Sequence, residues 1–276
     1  MAIWPAGPAR GQSWGFGVGR REGVRVRYVA IGDSFTEGVG DELQDGTVRG
    51  WADLVAAGLA ASGETVQYAN LAIRGRLLEP IVADQLDAAL ALDPAPTLMT
   101  LNGGGNDMLR PNTDVARLIG LTERAVRRCA EAGVRLVLLS GADPSDGLPF
   151  GKTIRRRGDE LTVGAAALAA ANDLTFVDCF RDVELRRPGY WSADRLHLNA
   201  AGHRRVASRV LTALGYDAPV GDRAVSPLPR GALGEARYYW DHVLPWIYRR
   251  VRGRSSGDAL NGKHVGWTAI ESAPVQ

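Results

Sequence analysis

Cysteine is nearly absent: Cys129 and Cys179 stand alone among 276 residues, and neither belongs to a C-x-x-C pair. That excludes a disulfide framework, and with only four scattered histidines it leaves no ligand set for a structural zinc. Both cysteines lie in apolar contexts and are expected to be buried free thiols. Aromatic residues are scarce at 7%, which argues against a base-stacking platform. Neither sign of charge dominates: 33 basic residues face 31 acidic ones, and a net charge of +2 creates no field that would draw nucleic acid. No apolar run approaches the ~18–20 residues of a membrane span. Residues 1–23 lack the continuous apolar stretch of a secretory signal and are expected to form a loose extension, so a cytoplasmic protein is the expectation. There is no internal repeat.

What remains is the composition of a globular chain, 45% hydrophobic and 23% charged, suited to one domain with appendages. The stretch that organises it runs from Tyr28 to Gly38. A Val- and Ile-containing apolar run stops at Gly32-Asp33-Ser34, and a polar, glycine-punctuated segment follows. This pattern reads as a buried strand feeding a sharp turn. In an open parallel sheet ligands bind beyond the carboxyl ends of the strands, so Ser34 stands where a nucleophile would sit.

Strand patterns at 24–31, 65–71, 97–101, 134–140 and 174–178 alternate with helix patterns at 51–62, 77–92, 114–132, 153–171 and 200–214. Each crossover is long enough for a βαβ unit, which predicts a doubly wound α/β sheet of about five parallel strands in the order 2-1-3-4-5. Beyond the core at 24–215, residues 217–229 read as a Pro-containing linker and 235–251 as a basic, Trp-containing helix interrupted by Pro245. That helix is expected to dock on the core or to belong to a flexible tail. Contact with an anionic membrane surface is its second reading. Residues 255–276 are expected to be disordered.

A serine hydroxyl needs an adjacent base, oriented by a third group. His197 is the strongest candidate because Asp194 precedes it by three residues in a loop, where a carboxylate can accept from the imidazole Nδ1–H. His203 lies inside a helix pattern and ranks second, while His242 and His264 fall in the tail. Oxyanion donors are sought at strand ends: the Ser34 N–H, the Gly75 N–H where glycine permits close approach, and the Asn106 side chain. Asp33 and Asp107 read as braces of their turns. Arg74, Arg76 and Arg110 read as solvated loop residues, with recognition of an anionic substrate group as the alternative. The run Arg155-Arg156-Arg157 reads as a charged helix start. The glycines at 103–105 open no nucleotide-binding motif.

Gly32-Asp33-Ser34 with Gly38, Asn70 with Gly75, Gly104-Gly105-Asn106-Asp107, and Asp194-x-x-His197 occur in that order. Together they resemble the four sequence blocks of the SGNH hydrolases, also called GDSL esterases and lipases. The resemblance covers about 27–214, and the wording of the blocks is similar to an actinobacterial branch. Phe35 departs from the leucine of the family name, but both residues are apolar and can pack behind the serine. The resemblance implies a flavodoxin-like α/β/α sandwich and a triad of Ser34, His197 and Asp194. It also implies an oxyanion hole of Ser34, Gly75 and Asn106, and no metal or organic cofactor. The implied substrate is a small-molecule, glycan or lipid ester, with hydrolysis as the main reading. Acyl transfer or carbohydrate deacetylation on the same triad, and a catalytically idle binding module, are the alternatives. Acyl-chain length is expected to be set by the loops at 76–80, 110–114, 143–152 and 180–192.

Overall fold

The computed structural model describes residues 25–148, 150–216 and 261–271. The expected extension at 1–23, the linker at 217–229 and the basic segment at 235–251 lie outside the described residues. In chain order the elements are β1 (Arg25–Ile31), α1 (Ser34–Glu37), α2 (Trp51–Ala61), β2 (Thr65–Asn70) and α3 (Leu78–Pro80). α3 continues through a π-turn (Ile81–Gln85) into α4 (Leu86–Leu90). Then follow β3 (Leu98–Leu101), α5 (Gly105–Met108), α6 (Val115–Glu131), β4 (Arg135–Leu139), α7 (Gly151–Ala171), β5 (Thr175–Val177), α8 (Ala200–Leu214) and β6 (His264–Ile270).

The sheet order is β5-β4-β3-β1-β2-β6, and all neighbours pair in parallel except β2 and β6. The expected 2-1-3-4-5 order therefore holds for the parallel strands, with a sixth, antiparallel strand added outside β2. Each strand sends alternate side chains to opposite faces. From β1, Tyr28 and Ala30 join Trp51, Val55 and Leu59 of α2 and Val206 and Val210 of α8. Val29 and Ile31 join Leu78, Ile81, Leu118, Val126 and Leu161 on the other face. Burial on both faces explains why β4 reads Leu136-Val137-Leu138-Leu139 without a polar break. The layers are thus α2 and α8, the sheet, and α3–α4 with α6 and α7.

The helix ends follow local chemistry. Asp114 caps α6 by accepting from the Arg117 N–H, and Asn199 caps α8 by accepting from the N–H groups of Ala201 and Gly202. Gly215 closes α8 in the left-handed conformation. Both cysteines are buried free thiols, and burial pushes each thiol up to about 12.

β6 corrects the expectation of disorder over 255–276 for residues 264–270, while 255–260 and 272–276 lie outside the described residues. Its sequence, HVGWTAI, contains Val, Trp, Thr and Ile, which suit a pleated surface. It pairs antiparallel with the edge of β2. Lys263, just before β6, donates to Glu37 O at 2.6 Å, Val48 O at 3.0 Å and Asp53 Oδ2 at 2.6 Å. Trp267 Nε1 donates to Pro94 O at 3.0 Å. Lys263 therefore fastens the start of β6 to the end of α1 and to the start of α2. Lys263→Met leaves Asp53 and two carbonyls without that donor. It should cost about 1–3 kcal/mol in urea denaturation at neutral pH.

His203, on α8, is fully buried. The Trp51 N–H donates to its Nδ1 at 3.3 Å, which leaves Nε2–H to donate to Val39 O at 3.2 Å. Burial lowers its pKa from 6.5 to about 4. Below pH 6.5 the unfolded chain takes up a proton that the folded chain refuses, so stability falls as pH drops toward 4. Burial raises Asp33 from 3.8 to about 6, which opposes this loss over that narrower range. A His203→Gln variant, whose amide can make both hydrogen bonds, isolates the histidine. Between pH 7 and pH 5 the wild type should lose about 2 kcal/mol more stability than the variant, measured by urea denaturation.

Candidate active site

The end of β1 meets α1 through a turn with no spare space. A Cβ at Gly32 would lie 2.5 Å from Thr36 Oγ1 and 2.9 Å from Asn102 O, so only glycine lets the backbone pass. Gln85, in the π-turn, grips the same residue: Gly32 N–H donates to Gln85 Oε1 at 2.8 Å, and Gln85 Nε2 donates to Gly32 O at 3.0 Å. Asp33 is the N-cap of α1, its Oδ1 accepting from the Phe35 N–H at 3.1 Å. Ser34 is then the first residue of α1. Asn70, at the end of β2, braces the helix from below by donating to Thr36 O at 3.1 Å.

The loop after β5 carries its own orienting device. Asp194 Oδ1 accepts from the N–H groups of Leu196 and His197 at 2.9 and 3.0 Å and from Ser192 Oγ at 2.6 Å. Arg195 takes the left-handed conformation, φ 56°, to close this turn. Asp194 Oδ2 faces His197 Nδ1 at 2.6 Å, and His197 Nε2 faces Ser34 Oγ at 3.1 Å. A carboxylate only accepts, so the imidazole proton sits on Nδ1 and the Nε2 lone pair is turned to the serine hydroxyl. Burial alone would raise the Asp194 pKa. The hydrogen bonds from His197 and Ser192 outweigh it and hold the carboxyl well below its usual range. The loop lies against the segment after α1 because Gly40 has no side chain: a Cβ there would stand 2.0 Å from Leu198 O.

The structure thus brings Ser34, His197 and Asp194 into one hydrogen-bonded line. Asn106, in α5, lies beside them and lines the same cavity as Ser34 and His197. Its Nδ2 donates to Asp33 Oδ2 and to Arg76 O, both at 3.1 Å. Of the donors that the sequence suggested for an oxyanion, the Asn106 side chain is therefore engaged with protein oxygens here. Gly75 occupies the turn after β2 with φ 78°, one residue before the Arg76 carbonyl that Asn106 contacts. Among the described residues, no protein acceptor faces the N–H of Ser34 or of Gly75.

The bracing residues are as informative as the hydrogen-bonded line. Asp107 accepts from the Leu78 N–H at 3.0 Å and so ties α5 to the start of α3. Arg74 donates to Glu37 Oε1 through Nε at 2.9 Å and through Nη2 at 2.5 Å. That pairing builds the wall of the turn. Arg155 pairs with Asp143, and Arg157 donates to the carbonyls of Met108 and Arg110, so the basic start of α7 fastens the neighbouring loops. Sequence reasoning missed Gln85 and Ser192. Gln85 had left a signal, a polar side chain between Val82 and Leu86 on the apolar face of its helix pattern. Ser192 left none, because its role depends on how the loop turns. Among the described residues no cluster of three or more His, Cys, Asp or Glu is placed to hold a metal ion.

A cavity of ≈ 110 Å³ opens at Ser34, Asn106 and His197 and continues between the ends of β3 and β4 and the helices α6 and α7.

The model of the GDSL-like lipase/acylhydrolase family matches residues 30–205. No curated protein matches the chain. Similar solved structures include TesA, 25% identical, with 68% of this chain and 97% of that one aligned at a TM-score of 0.57. The psychrotrophic esterase EstA from Pseudoalteromonas sp. is 19% identical over 68% of this chain and 96% of that one, at 0.55. A catalytic mutant of the acetylxylan esterase Axe2 from Geobacillus stearothermophilus is 18% identical over 72% and 98%, at 0.59. The match over most of the α/β core places this chain in the GDSL-like lipase/acylhydrolase family, among the SGNH-type carboxylic ester hydrolases.

Proposed function

We propose that the protein hydrolyses a carboxylic ester through an acyl-enzyme formed on Ser34. The observation that carries this reading is the line from Asp194 Oδ2 through His197 to Ser34 Oγ, with contacts of 2.6 and 3.1 Å. Ser34 Oγ attacks the ester carbonyl while His197 Nε2 takes its proton. Asp194 holds the ring in the productive tautomer and stabilises the imidazolium. As the tetrahedral intermediate collapses, the C–O bond to the alcohol breaks and Nε2–H protonates the leaving oxygen. Water then attacks the acyl-serine, giving its proton to His197, and collapse of the second intermediate returns the proton to Ser34.

The oxyanion is received by the N–H groups of Ser34 and Gly75, which have no protein acceptor among the described residues. Asn106 joins them by exchanging its bond to the neutral Arg76 carbonyl for one to the oxyanion, a stronger acceptor. Donors that turn toward charge only as it develops favour the transition state over the ground state.

Ser34→Ala should abolish turnover of p-nitrophenyl acetate and labelling by a fluorophosphonate probe, while the variant keeps the wild-type circular dichroism spectrum. Retained Ser34-independent turnover at the wild-type rate would overturn the assignment. Asn106→Ala should lower kcat by roughly 10²–10³ in the same assay.

The rate should fall on the acid side, because proton transfer from Ser34 needs the free Nε2 lone pair of the imidazole. Asp194 stays ionised across that range, since its pKa lies well below the ordinary value. Asp33, raised to about 6 by burial, is the other group that changes charge there, and it accepts from Asn106. A pH profile of kcat/KM for Asp33→Asn separates the two. The acid limb should persist, and its disappearance would transfer it from His197 to Asp33.

A further inference from the structure

We infer that the acyl group of the substrate is an unbranched aliphatic chain of about four to six carbons, held between α7 and the end of β4. This rests on the roles proposed for Ser34 and His197, and names the substrate class for that same site.

The geometry of α7 gives the cavity its depth. β4 ends at the rim that carries Ser34, and α7 starts from that rim, so it runs back down the sheet. Positions 158, 161, 162 and 165 therefore descend from the mouth at about 1.5 Å per residue, which puts Ala165 about 10 Å below Gly158. Leu161, Thr162 and Ala165 line the cavity from α7, Thr122 from α6 and Leu138 from β4. Apart from the half-exposed Ala165, these side chains are buried. Of the loops expected to set chain length, those at 143–152 and 180–192 also reach the cavity, through Pro144, Phe180 and Trp191.

The lining selects the chemistry. The charged and titratable groups on the cavity, Asp33 and His197, stand at its mouth. Deeper in, the Thr122 hydroxyl donates to Leu118 O at 3.0 Å and the Thr162 hydroxyl to Gly158 O at 2.7 Å. Both hydroxyl protons are committed to their own helices, so an anionic chain would enter without a donor from them. A hydrocarbon chain loses nothing there.

The volume selects the length. A closed apolar cavity of roughly 150 Å³ accepts benzene, six carbons in a compact ring. The present ≈ 110 Å³ suits a chain of similar or slightly smaller size. Acetyl leaves most of it empty, and palmitoyl exceeds it. The order of bond breaking selects the acyl side. The alcohol must depart before water reaches the acyl-serine, and a group lodged in the buried end behind Ser34 cannot leave first. The group that stays attached to Ser34 is the one that belongs there.

The test compares kcat/KM for p-nitrophenyl acetate, butyrate, hexanoate and decanoate across wild type, Ser34→Ala, Ala165→Phe and Leu161→Ala. In wild type the Ser34-dependent value should rise by about fourfold per methylene as far as hexanoate, then fall at decanoate. Ala165→Phe fills the deep end, and should reduce the hexanoate-to-acetate ratio of kcat/KM by about tenfold or more. Leu161→Ala should move the optimum to longer chains, and it decides the matter alone if Ala165→Phe fails to fold. Ser34-dependent turnover that is flat from acetate to hexanoate, or an optimum that neither variant moves, overturns the chain inference and leaves the hydrolase reading intact. Absence of Ser34-dependent turnover on every ester overturns both.

Discussion

Steric exclusion at Gly32 is the constraint from which the site follows. Because no Cβ fits between Thr36 and the Asn102 carbonyl, the chain can leave β1 and start α1 within one residue of Asp33. That places Ser34 on the first turn of a helix whose N-terminal amides face the rim. Gln85 reaches across from the π-turn and saturates both backbone groups of Gly32, so the turn is held from the helical layer as well as from within. A looser turn would let Ser34 Oγ drift from His197 Nε2. The Asp194 turn could be perfectly formed and still have nothing to act on.

The two halves of the hydrogen-bonded line from Asp194 to Ser34 are built by different means. On the serine side the support is long-range: Asn70 on Thr36, Gln85 on Gly32, Glu37 on Arg74 and Lys263 on the Glu37 carbonyl. On the histidine side it is local, since Asp194 satisfies its own turn with the N–H groups of Leu196 and His197 and then orients the ring. Local support leaves a signature in sequence spacing; long-range support does not. That difference explains what was legible beforehand. Asp194 and His197 stand three residues apart and could be paired by counting. The parallel strands could be found because burial on both faces makes them continuous apolar runs, as at Leu136–Leu139.

The features that could not be counted depend on distant partners. β6 was hidden because an edge strand needs a vacancy on another strand, and nothing in HVGWTAI names β2 as its host. The clamp at Gln85 was hidden because its partner lies in a different layer. Asn106 was found as a residue, but the direction of its amide toward Asp33 and Arg76 comes from side-chain rotation that residue type does not encode. The cavity was hidden for a related reason. Ala165 and Gly158 read as unremarkable members of an Ala-rich helix, and empty space appears only when that helix is set against β4.

That empty space has a thermodynamic side. A core void of ≈ 110 Å³, were it wholly enclosed, would weigh against the native state by roughly 2–3 kcal/mol, and the open mouth reduces this. Larger side chains at 161 and 165 would repack the region and recover that free energy, as cavity-filling changes commonly do. They would also abolish the room behind Ser34. Selection for a more durable fold and selection for turnover therefore act in opposite directions on the same few positions of α7.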